Sequence, residues 1–544
     1  MTIPLETESH APLPSLRTLG GHPRLFVDGR PFLVLGGELH NSSSGSRQEI
    51  RTSFATLAGR NFNTILAPVT WETVEPREGD YDFSLVDELL ASARDSGVRL
   101  VPLWFGAWKN GKSTYTPAWV KTDPARFPRA ELSSDAPRDQ VSPFGEAIRE
   151  ADARAFAALM RYLRTVDATT RTVIMVQVEN EVGLLGDSRD RSAGATRHFD
   201  AEVPDGVYEA LDAHPDLRIA GAWKEGGCQR QGNWAAVFGD SATTDEAFMA
   251  TAYATHIEAV AAAGKAEYPL PMFTNAWLDS EIEMSDVPLA GGQRPGTYPS
   301  GGPLPHVAGL WRQFAPTLDL VVPDIYFGGF ADICRSYRAA AGALFIPEMR
   351  RDEQGAGDVF LAIGSYGAIG TSPFGIDSVQ GQEGDAFSDA YGLLESVAPL
   401  VANHETVGVH VDETRPHAEI HLGDYVLSVR RETGAGSSRP VARGYGIVIQ
   451  VEPDQFIAAG RGLHLTFRRA DGGHAELLRT EEIAGRAPDF QTLRVLNGDE
   501  TVGGTGIVLH SLSPLPPSSF PIPTDRRGVG LVRCRLHPLP RLTY

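Results

Sequence analysis

Two stretches of the chain place carboxylates where an apolar run ends. One reads Val176-Gln177-Val178-Glu179-Asn180-Glu181-Val182-Gly183. The other reads Phe345-Ile346-Pro347-Glu348-Met349-Arg350-Arg351-Asp352. A charge at the mouth of a buried run is costly unless it is paired, solvated or used. Each stretch alone has an ordinary explanation. A Glu-x-Glu pair suits a solvated rim, and Glu348 suits an ion pair with Arg350 or Arg351. Together they suit one chemistry. If the two runs face each other, their carboxyl groups can reach the roughly 5–5.5 Å separation of a double displacement at a glycosidic carbon. One acid keeps its proton and donates it to the leaving oxygen, while the other is ionised and attacks. Burial and like charge would drive their pKa values apart. Asn180, next to Glu181, can hold a sugar hydroxyl or position the acid.

Other apolar runs also end in residues suited to a sugar. Trp71 follows the second run. Trp104, Phe105 and Trp108 follow the third, with Lys109 and Asn110 adjacent. Trp277 and Asn275 follow the fifth, and Tyr326 the sixth, after Pro323-Asp324-Ile325. Glu38 and His40 follow the first. Apolar faces of a pyranose pack on aromatic rings while polar neighbours read its hydroxyls. Each aromatic alone reads equally well as core packing, and a lone His as structural; their shared position is the argument. Competing chemistries lack their motifs. There is no HExxH, GxSxG, GxGxxG or Walker A pattern. The three cysteines, Cys228, Cys334 and Cys534, are too scattered for a metal site or disulfide framework. No metal or organic cofactor is expected, because two carboxyl groups supply both proton transfer and nucleophile.

The elements that must hold these residues are eight apolar runs at 32–36, 64–68, 99–104, 173–178, 272–275, 318–322, 343–347 and 368–372. Parallel strands buried on both faces read this way. The spacers carry helix signals. Ser46-x-x-Glu49 opens 50–57 as a capping box, and Ser84-x-x-Asp87 opens a helix stopped by Gly97. Segments 147–165, 246–263 and 332–341 are periodic. Eight strand–helix repeats predict an α/β fold, a (β/α)8 TIM barrel, with a doubly wound open sheet as the alternative. Segments 183–245 and 291–305 read as long loops shaping the barrel mouth. After residue 404 the texture alternates apolar and polar at 418–430, 444–451 and 463–469. Asp471-Gly472 and Asn497-Gly498 mark hairpins, and 514–523 is a Pro/Ser loop. The expected organisation is a catalytic barrel over 1–404, with a short N-terminal extension, then a β-sandwich-like accessory domain over 405–544.

Across its 544 residues the chain carries a net charge of −20. That disfavours nucleic acid and anionic membrane as partners and suits a neutral substrate. The N-terminus has neither a basic nor an apolar leader region, so a cytoplasmic location is expected, a removed leader being compatible with the same sequence. Oligomeric state is open; a homodimer meeting through the C-terminal β region would suit a chain of this size.

With these residues in place, a family resemblance emerges. Trp71-x-x-x-Glu75-Pro76-x-x-Gly79-x-Tyr81-x-Phe83 resembles the strand-two signature of glycoside hydrolase family 35, the β-galactosidases of the large retaining (β/α)8 clan. The stretch from Val176 to Gly183 is similar to that family's acid/base motif, and Gly37-x-x-His40 to its strand-one end. The resemblance spans roughly 20–375 and extends, more weakly, to the accessory domain of a bacterial subgroup. It implies a retaining exo-β-galactosidase with Glu181 as proton donor and Glu348, at the end of strand seven, as nucleophile. It further implies Asn180 at the 2-hydroxyl and Tyr326 orienting Glu348. Three places depart from the pattern. The strand-three end Trp104-Phe105-Gly106-Ala107-Trp108-Lys109-Asn110 stands where better-known members carry an Ala-Glu pair that binds galactose. Asn41 replaces a Tyr, and Met349-Arg350-Arg351-Asp352 lacks the usual aromatic residues. Trp108, Lys109 and Asn110 are therefore candidates for rebuilt sugar contacts. A β-glucosidase, β-glucosaminidase or β-fucosidase of the same mechanism stays open, as does a non-catalytic carbohydrate-binding barrel.

Overall fold

A computed structural model describes residues 12–134, 139–280, 292–378, 386–433, 440–512 and 528–539. Eight parallel strands close into a barrel: β1 (Val34–Glu38), β2 (Thr64–Thr70), β3 (Arg99–Lys109), β4 (Val176–Asn180), β5 (Met272–Trp277), β6 (Leu320–Ile325), β7 (Ile346–Met349) and β8 (Gly370–Pro373). Each strand pairs with its neighbours in sequence, and β8 pairs with β1 to close the ring. Strands covered on both faces have no polar side, which is why they appear as unbroken apolar runs. Phe32 is the exception. It ends the strand Arg30–Phe32 of a small antiparallel sheet with Ser15–Leu19 and His22–Val27, so the barrel starts two residues later than expected.

One apolar cluster holds Val34, Leu66, Leu103, Phe105, Phe273, Val322 and Phe345 from the strands, together with Leu25 and Val27 from the N-terminal sheet. The barrel interior is thus packed solid and its far end plugged, as expected of this architecture. A larger cluster lies between the strands and the surrounding helices. The helix Arg47–Leu57 begins as its capping box predicts, with Ser46 Oγ accepting from the Glu49 N–H at 3.1 Å. The helix Ser84–Asp95 is capped differently. Asp82, two residues before its start, accepts the Ser84 N–H at 2.8 Å. The segment 183–245, expected as loop, is largely helical: Ala193–Phe199, Asp205–Ala213, Arg218–Glu225 and Trp234–Phe238 precede the long helix Ala242–Glu267. Ser192 and Asn233 cap two of these short helices.

From Glu405 onward the chain forms antiparallel strands in one hydrogen-bonded path of ten, counting two that branch from it. The two ends of the path, Glu405–Val411 and His417–Leu422, come back together around a second core of Leu427, Phe456, Leu465, Ile507 and Val532. This is the form the sandwich-like expectation takes. Segment 418–430 is two strands joined at Gly423-Asp424, and Asp471-Gly472 is a hairpin turn. Asn497-Gly498 is not a hairpin. Asn497 instead caps the short helix Gly498–Thr501, because the strands on either side pair with different partners. The loop expected at 514–523 lies outside the described residues. The other face of this sheet rests on the barrel helices Glu353–Gly364 and Ala386–Val401. Phe360 stacks on Tyr445, His410 Nδ1 meets Asp358 at 2.8 Å, and Arg461 grips Asp389 at 2.8 Å. Among the described residues no helix is long and apolar enough to cross a membrane.

Candidate active site

The site begins with an irregularity between β3 and β4. Leu103 and Trp104 pair in register with Gln177 and Val178, yet the next partner of Asn180 is Lys109. β3 therefore carries extra residues that bulge from the ladder, a device that re-aims side chains at barrel rims. Glu179 holds the bulge. Its carboxyl accepts the backbone N–H groups of Ala107 at 3.0 Å and Trp108 at 2.7 Å. Burial, then the neighbouring Asp152, push the Glu179 carboxyl well above the usual range. Glu179 and Glu181 both adopt left-handed backbone conformations, with φ of 60° and 46°. Such conformations are strained for residues with a Cβ and gather at functional sites. Here they turn Glu179 toward the bulge and leave Glu181 lining the cavity.

Gly106 sits inside the bulge. A Cβ there would overlap both the Glu179 carboxylate and the Trp104 indole nitrogen. Gly106→Ala is expected to cost about 1–3 kcal/mol of stability, seen as a lower Tm, and to lower kcat by displacing Lys109. An unchanged Tm and kcat would show that the bulge has room to spare.

Glu181 is 5% exposed and Glu348 4% exposed, and both face one cavity of about 350 Å³ at the C-terminal end of the strands. Oxygens of Glu181, Asp324 and Glu348 all lie within 4.8 Å of one another. Asn110 Nδ2 donates to Glu181 Oε2, and the Glu181 backbone N–H donates to Asn275 Oδ1 at 2.9 Å. Burial first, then the charge of Glu348, raise the Glu181 carboxyl to about 7. Glu348 is surrounded by donors. Its Oε1 accepts from Asn180 Nδ2 at 3.1 Å and Asn275 Nδ2 at 3.2 Å, and its Oε2 from the Tyr326 hydroxyl at 2.8 Å. Neither arginine that follows it is its partner. Arg350 pairs with Asp352, and Arg351 donates to Gly375 O and Ser378 Oγ. Glu348 is thus held as an acceptor of three neutral donors, with the Lys109 ammonium 3.9 Å away. Tyr326→Phe removes one of those donors. At about 1.5–3 kcal/mol for a hydrogen bond to a charged group, kcat should fall about 10- to 100-fold; a change under twofold would show that the phenol does not support Glu348.

Of the other residues singled out in the sequence, Asn110, Lys109, Trp277 and Tyr326 line the cavity. Asn180 and Asn275 lie fully buried behind the carboxylates. Glu38 is also fully buried, and neither of its oxygens has a hydrogen-bond partner among the described residues. Burial, then the charge of Glu348, push its carboxyl well above the usual range. Trp71 and Trp108, expected among the sugar contacts, are fully buried and do not line the cavity. Trp71 Nε1 donates to Glu75 Oε2 at 2.7 Å and its ring packs edge-on to Trp119. Glu75 Oε1 also accepts the Gly79 N–H, so the strand-two motif is a structural knot. Trp108 donates to Val141 O and packs on Tyr253 and His256. Trp104 donates to Asp152, and His40 pairs with Asp377 at 2.7 Å.

The cavity walls are Trp277, Tyr326, Phe327 and Phe374, with Asn41, Leu278 and Ser280. Asp324 was not singled out by sequence. Its Oδ2 accepts from Asn275 Nδ2 at 2.7 Å while its Oδ1 has no partner among the described residues. Burial, then Glu348, push its carboxyl well above the usual range. The Glu181–Asp324–Glu348 triad is the one acidic group among the described residues spaced closely enough to surround a cation. The positive charge the fold places beside it is Lys109.

Comparisons with known proteins bear on this geometry. The family model "Glycosyl hydrolases family 35" matches residues 24–250, and "Domain of unknown function (DUF5597)" matches residues 387–507. No curated protein matches. Among solved structures, the catalytic domain of a β-amylase from Paenibacillus polymyxa aligns at 12% identity and a TM-score of 0.47, over 65% of this chain and 96% of that one. A β-galactosidase from Bacillus circulans sp. alkalophilus aligns at 12% identity and TM-score 0.47, over 69% of this chain and 57% of that one. A β-galactosidase from Rahnella sp. R3 aligns at 15% identity and TM-score 0.46, with the same coverage. This chain therefore spans little more than half the length of either β-galactosidase. The assignment rests on the sequence match, which contains β2, the β3 bulge and the Glu181 motif. Over residues 24–250, which hold β1 to β4, the chain is similar to glycosyl hydrolases family 35, and that match supports a glycoside hydrolase.

Proposed function

We propose that the chain is a retaining exo-β-galactosidase acting by double displacement. The observation that carries this reading is the approach of Glu181 and Glu348 oxygens to within 4.8 Å. Carboxyl groups with oxygens that near one another suit the roughly 5–5.5 Å spacing of retaining enzymes better than the roughly 6.5–9.5 Å that leaves room for water in inverting ones. Glu181, protonated near neutral pH, gives its proton to the glycosidic oxygen. Glu348, steadied by Tyr326, Asn180 and Asn275, attacks the anomeric carbon and forms a glycosyl ester. Glu181 then takes a proton from water as the ester breaks. The exo mode is supported by the cavity's position over a packed barrel interior, which suits the end of a sugar chain. Galactose is supported by the family match, and the substrate would be an oligosaccharide or polysaccharide side chain with a terminal β-linked galactose.

A second reading keeps the mechanism and changes the sugar. It is favoured by Lys109 and Asn110, which line the cavity in place of the Ala-Glu pair of the better-known relatives. A panel of nitrophenyl β-galactoside, β-glucoside, β-fucoside and β-glucosaminide separates the two. The β-galactoside should be hydrolysed with the highest kcat/KM, and proton NMR should show the β-anomer released first. Preference for another sugar selects the second reading, and early release of the α-anomer would contradict the retaining mechanism.

A further inference from the structure

We propose that Lys109 is the fixed counter-ion of both reacting carboxylates, balancing Glu348 before attack and Glu181 once the glycosyl ester has formed. This rests on the double-displacement reading above. Lys109 is delivered by the β3 bulge and is only 4% exposed. Its Nζ donates to Asn180 Oδ1 at 3.0 Å and stands 3.9 Å from Glu348 Oε1. It also lies 4.9 Å from the centre of the Phe105 ring. The ionisable groups that act on it, or on which it acts, come from every side: Glu38 from β1, Tyr115 beyond β3, Glu181 after β4, Asp324 from β6 and Glu348 from β7. Tyr326, bonded to Glu348, completes the ring. Among the described residues lining the cavity, no other side chain is a lysine or arginine.

Charge balance then decides the protonation pattern. Four ionised carboxylates around one ammonium would leave a large uncompensated negative charge in a space shielded from water. Burial and mutual repulsion instead push the Glu38 and Asp324 carboxyls well above the usual range, which favours their neutral forms. One anion remains to face one cation. Before reaction that anion is Glu348, while Glu181 carries its proton. In the first step the Glu181 proton passes to the leaving oxygen as the glycosidic bond breaks. A Glu348 oxygen bonds to the anomeric carbon, and its carboxylate becomes a neutral ester. Glu181 is now the anion. In the second step Glu181 takes a proton from water, the water oxygen bonds to the anomeric carbon, and Glu348 departs as carboxylate. The negative charge moves between two residues that both interact with Lys109, so neither half-reaction buries an unpaired charge. Burial alone would pull the Lys109 ammonium down. Glu348, foremost among its charged neighbours, opposes that and holds it above its ordinary value.

The test uses the full chain with Lys109→Met and Lys109→Arg, reading kcat/KM against pH on the nitrophenyl glycoside turned over fastest. An opposite charge at about 4–6 Å lowers a carboxyl by about 1–3 pH units. Removing it in Lys109→Met should therefore move both limbs of the bell upward, each by about one unit or more, with a fall in kcat. Lys109→Arg should keep the limbs in place even if the rate suffers. A Lys109→Met loss confined to KM, with both limbs unmoved, would overturn the proposal and make Lys109 a sugar contact. Limbs displaced equally in Lys109→Arg would also overturn it, since the charge is retained there. Should the methionine variant not fold, Lys109→Gln gives the same reading with a polar group left beside Asn180. These outcomes are separable from failure of the mechanism itself, because a fully active Glu348→Ala would sink double displacement whatever Lys109 does.

Discussion

Replacing Glu348 by alanine is expected to abolish turnover, with kcat lower by on the order of 10⁴ or more, as when other covalent nucleophiles are removed. The loss should be one of chemistry and not of folding. Tyr326, Asn180 and Asn275 would each lose an acceptor, but Asn275 still bonds Asp324 and Asn180 still accepts from Lys109. Removing the carboxylate also leaves space beside the anomeric carbon. Added azide should enter it and restore part of the rate with an activated nitrophenyl glycoside, giving a product of inverted configuration. Near-normal turnover in Glu348→Ala, or a rescued product with retained configuration, would mean that another group attacks.

The second large effect belongs to Glu181. Its carboxyl, raised to about 7, loses its proton as pH rises through that value. The free enzyme should therefore show an alkaline limb in kcat/KM near pH 7. Below the limb the acid is protonated and active; above it the leaving group gets no proton. Glu181→Ala should remove the limb and lower kcat/KM by about 10²–10⁴ for an alkyl galactoside. The effect should be much smaller for a dinitrophenyl galactoside, whose leaving group needs no proton. A variant that keeps the wild-type limb, or that suffers equally with both leaving groups, would show that Glu181 is not the acid.

Much of this architecture is legible in the sequence because of how parallel strands are buried. With helices outside and a packed lumen inside, each barrel strand is apolar on both faces, so its run of residues stands out. The same contrast exposes Glu348, an acid directly behind Phe345-Ile346-Pro347. Asp324 carries the same signature behind Leu320-Val321-Val322-Pro323 and could have been found by the rule that picked out Glu348. Position after a strand does not reveal which side of the barrel wall a ring takes, so Trp71 and Trp108 look like sugar platforms yet pack outward into the core. The β3 bulge was hidden for a different reason. It depends on Glu179 reaching across to the backbone of Ala107 and Trp108, a contact between residues remote in the chain. Without that clamp in view, Lys109 reads as a candidate sugar contact beside a tryptophan and not as the buried charge of the cavity. The short helices within 193–238 escaped because each has at most about two and a half turns, little length for a periodic apolar face to show.

The central claim is that Glu348 becomes covalently bonded to the sugar while Glu181 stands opposite. A 2-deoxy-2-fluoro glycoside of the preferred sugar, with a good leaving group, slows the second step and lets that ester accumulate. Intact-protein mass spectrometry should then show one added fluoroglycosyl unit, and peptide mapping should place it on Glu348. An adduct on Asp324, Glu38 or any other carboxylate, or steady turnover with no adduct at all, would contradict the account.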